Sequence, residues 1–146
     1  MREILFRGKR IDNGEWVYGY LVIKYIHFQN DIYTYIFTPN SYGGFIEHPL
    51  RYDTECQYTG RTDKNETKIF EGDIIRVDWL NARGTEVAYS TNHLVGFENG
   101  VFGAYIDNEF MGFNECFSGD PQYCPYTYEV IGNIYDNPEL LENQSE

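Results

Sequence analysis

Residues 57–77 read QYTGRTDKNETKIFEGDIIRV, and the fold turns on whether this charged stretch is a reactive loop or a turn that launches a strand. Four acids and four bases cancel within it, so it offers no net field to draw in a ligand. Asp63, Lys64, Asn65 and Glu66 have turn composition, with Asn65 the residue best suited to a left-handed backbone. Glu71, Gly72 and Asp73 then precede the run IIRV, and an Asp entering such a run accepts local backbone N–H bonds. The stretch therefore predicts a turn, a pivot at Gly72 and the first strand of a second module.

Reactive readings of the same residues fail on spacing. A calcium loop counted from Asp63 puts Lys68 at its sixth position, where Gly is required, and Ile74 at its twelfth, where Glu is required. Gly60 and Gly72 belong to neither G-x-x-x-x-G-K-[ST] nor G-x-G-x-x-G, the two spacings that cradle phosphates. Glu71 and Asp73 would share one face of an extended chain and form a carboxylate pair, but the strand-entry role accounts for Asp73 more simply.

Working outward, the chain reads as β throughout. EILFRGKRI (residues 3–11) and EWVYGYLVIKYIHF flank Asp12, Asn13 and Gly14, a composition that tolerates the positive φ of a tight hairpin. The second of these strands is apolar on both faces, with Trp16, Tyr18, Tyr20, Val22 and Ile26 to one side and Val17, Leu21, Ile23 and Tyr25 to the other. Such a strand is either sandwiched or at a subunit contact, and Gly19 reads as its bulge or bend. IYTYIFT follows after a turn at Gln29, Asn30 and Asp31. Beyond residue 72, Asn99 and Gly100 give the strongest hairpin signal, residues 107–125 have the composition of a long excursion, and TYEVIGNIY resumes as a strand. Asn137, Pro138 and Glu139 suit the start of a short helical turn.

The expected fold class is mainly β, all-β apart from that turn. It comprises an N-terminal β module over residues 1–56 and a C-terminal module over 57–146, the latter an SH3-like partly open barrel packed with the first as one unit. Hydrophobic residues at 42% and aromatics at 18% exclude a disordered chain.

Charge is partitioned along the sequence. Residues 1–83 hold all 11 Lys and Arg against 12 acids, whereas residues 84–146 hold 11 acids and no Lys or Arg. That half repels phosphate and disfavours nucleic acid, whose binding rests on basic side chains. Its acidic surface serves solubility or recruits a basic partner. The opposing feature is the N-terminal basic cluster of Arg2, Arg7, Lys9 and Arg10, which would supply a nucleic-acid patch on an SH3-like module.

Catalytic and metal-binding constellations do not emerge. His27, His48 and His93 stand apart, and Ser41, Ser90, Ser118 and Ser145 lie in no nucleophile elbow. Cys56, Cys116 and Cys124 are odd in number with no C-x-x-C pair, which predicts a reducing, cytoplasmic setting. The start MREILFRGKRI is charged where a signal peptide is apolar, and no apolar run is long enough for a membrane helix. No catalytic residue, cofactor or metal is therefore expected, and no membrane partner. The 14 Tyr suit half-buried sheets and protein interfaces alike.

Three stretches together resemble the YopX family of phage and prophage proteins: FRGKRIDNGEWVYGYL, QYTGRTDKNETKIFEGDIIRV and EVIGNIYDNPELLE, in that order. Carried onto this chain, the family pattern falls on Tyr58 and Gly60, on Asp63 and Asn65, on Glu71, Gly72 and Asp73, and on Gly132, Asn133, Asn137 and Pro138. Family members often place Gly after D-K-N, whereas Glu66 stands here. The resemblance implies a phage or prophage origin, an intracellular host setting, a β-rich fold of two modules and no catalytic residues. The resulting expectation is a non-enzymatic protein that binds or oligomerises through an acidic, Tyr-rich surface. It would be a homo-oligomer with a host or phage protein partner, and the nucleic-acid module is the alternative.

Overall fold

A computed structural model describes residues 1–113 and 126–142. Cys116, Cys124 and the greater part of the expected 107–125 excursion lie outside the described residues. The chain divides into two compact units, Met1–Gly60 and Arg61–Glu146. The expected break after residue 56 falls four residues early, because Cys56 and Gln57 already pair with Arg7 and Phe6 and the Tyr58 N–H donates to the Leu5 carbonyl.

The first unit is built from β1 (Phe6–Lys9), β2 (Trp16–Ile26), β3 (Asp31–Pro39), β4 (Phe45–Pro49) and the start of β5 (Cys56–Thr62), in the order β4-β3-β2-β1-β5 with antiparallel neighbours. β2 changes partner along its length: Trp16–Gly19 pair with β1 and Tyr20–Ile26 with β3. That handover replaces the bulge expected at Gly19, where the register continues without a shift. After β4 the chain crosses to β1, with Arg10 bridged to Leu50 and the Arg51 N–H donating to the Lys9 carbonyl. Ile36 and Leu50 are buried on one face, and Cys56 and Tyr58 are buried on β5.

The second unit holds β6 (Lys68–Phe70), β7 (Asp73–Leu80), β8 (Val87–Glu98), β9 (Val101–Ile106), β10 (Glu109–Gly112), β11 (Tyr126–Asn133) and the helical turn α1 (Glu139–Glu142). Five strands form an antiparallel sheet in the linear order β10-β9-β8-β7-β11, and no ladder joins β10 to β11 among the described residues. β7 lies between β8 and β11, and the β-branched run read from the sequence buries Ile74, Ile75 and Val77 almost completely. Ile69, Ile75, Val77, Val95, Ala104 and Phe113 form the core, packed by Trp79, Phe102, Tyr126, Tyr128 and Val130. Each fully buried side chain of this size contributes roughly 1.5–3 kcal/mol.

Turn chemistry sets these elements. Asn99 and Gly100 both take positive φ, as a two-residue hairpin demands. Asp107 and Asn108 do the same (φ 50 and 66), so the segment read as the start of an excursion makes a second hairpin into β10. The strand leading into the Asn99–Gly100 turn is the long, continuous β8. Among the described residues no helix is long and apolar enough to cross a membrane.

Candidate functional site

The opening stretch is architectural in its geometry. Asp63 is buried, and its Oδ1 accepts the N–H groups of Asn65 at 2.8 Å and Thr67 at 2.9 Å. Its Oδ2 accepts the Val130 N–H at 2.9 Å, next to the register shift between Val130 and Gly132 in β11. One carboxylate thus closes the turn and fastens it to a strand 67 residues away. The Asp63 N–H bonds the Thr67 carbonyl, and the left-handed position is Glu66 (φ 65), not Asn65 as the sequence predicts. Glu66, a non-Gly residue, thus bears the strain of a left-handed backbone.

At the other end of the stretch, Asp73 Oδ2 accepts the Phe70 N–H at 2.8 Å, the strand-entry role expected of it. Gly72 has φ 76, its N–H donates to the Val95 carbonyl and its carbonyl accepts the Ile134 N–H. Glu71 is half-buried in the same turn. Gly60 also has positive φ and lies in open space, and Tyr58 is buried.

The C-terminal motif makes a compact corner. Asn133 Oδ1 accepts the N–H groups of Tyr135 and Asp136, and Asn137 Oδ1 turns back toward the Asn133 N–H at 3.4 Å. A Cβ on Gly132 would meet that Asn137 Oδ1 at 2.6 Å, so only Gly leaves room for it. Pro138 precedes α1, and its carbonyl accepts the Leu141 N–H. The matched positions are therefore turn and corner residues.

Lys64 reaches Glu129 at 2.7 Å and Asp78 at 3.8 Å, with Arg76 at 3.2 Å from Asp78 and 3.4 Å from Glu129. The Ser90 hydroxyl donates to Asp78 Oδ1 at 2.6 Å and, with Arg76 and Lys64, holds that carboxyl below the usual range.

The basic cluster of the first unit is not an open patch. Arg7 is only 6% exposed and lies 4.5 Å over the Trp16 ring, Lys9 lies 5.3 Å from the same ring, and Arg10 is paired to Asp12. His27 stacks edge-on to Tyr25, and His48 Nε2 lies 2.9 Å from Thr38 Oγ1. Cys56 is a buried thiol whose Sγ–H donates to the Thr54 carbonyl at 3.4 Å.

A cleft of about 610 Å³ opens in the second unit, lined by Asn92, His93, Tyr105, Asp107, Asn108 and Glu142 among others. α1 is held there by a bond from Asn92 Nδ2 to the Leu140 carbonyl at 2.8 Å. His93 Nδ1–H donates to the Tyr105 carbonyl at 2.9 Å, which leaves Nε2 to accept the Thr91 hydroxyl at 2.8 Å. Trp79 Nε1–H in turn donates to Thr91 Oγ1 at 3.0 Å. Burial lowers the His93 pKa, so the ring is neutral and has both nitrogens engaged. Tyr105 donates its hydroxyl to Glu98, which raises its own pKa. The cleft walls are acidic through Asp107 and Glu142, and sequence spacing did not show the site because its residues come from three distant segments.

The remaining feature is exposed apolar surface. In the first unit Tyr18, Tyr20, Ile23, Tyr25, Ile26, Phe28, Ile32, Tyr33, Phe45 and Ile46 are all open to solvent. They cluster on the β2–β3 hairpin and the adjoining edge of β4.

Two antiparallel sheets, fastened by buried turn residues and carrying wide exposed surfaces, define a mainly-β protein. Residues 5–142 match the profile of the YopX protein family, and the chain belongs to that family. Among solved structures it is similar to protein EF1440 from Enterococcus faecalis, with 25% identity and a TM-score of 0.52 over 97% of this chain and 99% of that one. No protein with a curated description matches it.

Proposed function

We propose that this is a non-enzymatic binding protein of phage or prophage origin that works in the host cytoplasm by protein association, as a homo-oligomer with an acidic recognition face. The observation that carries the reading is the division of surface between the units. Met1–Gly60 has six bases against seven acids and much exposed apolar surface, while Arg61–Glu146 has five bases against sixteen acids. Solvent-exposed Tyr and Phe side chains supply contact area at low entropic cost. Asp107 and Glu142 at the cleft, together with Tyr89 and Phe97 on β8, fit a partner that presents Lys or Arg beside apolar groups. An SH3-like coiling of the second unit belongs to the same proposal, supported by the register shifts in β7–β8 and β7–β11, since such irregularities sharpen strand twist.

The nucleic-acid reading has less support, because Arg7 is buried and Arg10 is neutralised by Asp12. Light scattering and binding titrations test the proposal, with an oligo-lysine peptide and duplex DNA as probes. The expected result is a mass above one chain and salt-sensitive binding of the peptide, with no retention of DNA at low salt. A single-chain mass together with tight DNA binding would overturn it.

A further inference from the structure

We propose that two copies of the chain join edge to edge through residues 20–26 of β2, antiparallel about a two-fold axis centred on Ile23. The inference rests on the association reading above and names the surface and the partner.

β1 accompanies β2 only as far as Gly19, so among the described residues the outer edge of Tyr20–Ile26 carries no neighbouring strand. A two-stranded hairpin is marginally stable in water, and an open edge is a template for pairing with another strand. This one also lacks the usual protection, since Ile23 is 64% exposed, Ile32 is 65% exposed and Phe28 at the turn is fully exposed. Tyr25 stands opposite Ile32 in register, with Ile23 two residues along on the same face.

Exposed apolar side chains flank this edge on both faces of the sheet, Tyr20 and Ile26 on one and Ile23 and Tyr25 on the other, so a strand paired there gains apolar cross-strand contacts on each face.

A second copy fits better than another occupant for two reasons. Centring the pairing on Ile23 sets Ile23 against itself, Leu21 against Tyr25, Tyr20 against Ile26 and Val22 against Lys24, so apolar groups meet and no like charges stand opposite. Lys24 already has Glu47 of its own chain at 2.6 Å and lies 4.5 Å over Tyr35, which neutralises the one charge on the edge. The first unit is nearly neutral, with six bases and seven acids, so two copies meet there without the repulsion that sixteen acids against five bases impose on the second.

Charge reversal at the axis is the test, read by sedimentation equilibrium on the full chain. The wild type is expected at twice the chain mass, or a multiple of it. Ile23→Lys and Ile23→Glu each set like charges face to face and should weaken dimerisation at least tenfold, giving single-chain mass. An equal mixture of the two should restore the dimer, which also shows that both variants fold. A wild-type assembly that persists in both variants would overturn this interface and leave the association reading intact. Variants that dissociate but do not recombine would overturn the symmetric pairing, and a single-chain wild type would overturn the proposal along with the self-association part of the function.

Discussion

The two units treat the same kind of residue in opposite ways. Among the described residues, the second unit buries Ile69, Phe70, Ile74, Ile75, Val77, Val95, Ala104 and Phe113, while the first buries Ile36, Leu50, Cys56 and Tyr58. Exposed large apolar side chains run the other way, with fifteen in the first unit and five in the second. Aromatic and β-branched strands are common to both, so composition does not separate a core from a surface. What separates them is coverage. β7 has a strand on each side from Ile74 to Trp79, whereas the distal half of β2 has one. The second unit thereby covers most of its apolar strands within itself, while the first leaves much of its apolar surface exposed.

Substitutions at matched residues sharpen this contrast. Ile75→Ala should cost about 3–4 kcal/mol in urea unfolding, because Ile75 is fully buried between β8 and β11. Ile23→Ala in dilute protein should stay within roughly 0.5 kcal/mol, as expected of an exposed site. Equal losses at the two sites would erase the distinction.

Gly72→Val should cost about 2–3 kcal/mol by the same assay, since a β-branched residue is forced to φ 76 where two backbone bonds fix the chain. Asp63→Ala should cost about 2 kcal/mol by leaving three backbone N–H groups without their charged acceptor. Hydrogen exchange should show the loss at Val130 as well as in the turn, which a purely local turn residue would not produce.

Smaller effects probe the same scaffold. Glu66→Gly should stabilise the protein by about 0.5–1 kcal/mol, because the left-handed φ of 65 suits Gly at no steric cost. Protonation gives a further handle through His93, whose pKa burial lowers in the folded state. The unfolded chain then binds more protons, so stability is full above about pH 6.5 and declines as pH falls below it. His93→Gln should make the decline between pH 7 and pH 5 shallower in thermal melts, and an unchanged slope would remove His93 from the account.

Much of this was legible in the sequence, for local reasons. Alternating strands, the Asn99–Gly100 turn and the pivot at Gly72 each follow from a few adjacent residues. The two-faced apolar character of β2 was equally plain, although its cover was not. β10 escaped notice because Asp107–Asn108 lacks the Gly that marks most tight hairpins, yet both residues tolerate positive φ. Asn65 was favoured over Glu66 for the left-handed position on propensity, which the register fixed by Asp63 overrides. The cleft and the Asp63–Val130 bond join segments dozens of residues apart, and no local pattern reports such contacts.

Hydrogen–deuterium exchange as a function of protein concentration tests the contrast between the units most directly. Amides of residues 20–26 should gain protection as concentration rises and the edge of β2 becomes paired, while those of β7 stay slow throughout. Protection of residues 20–26 that is independent of concentration would contradict the account.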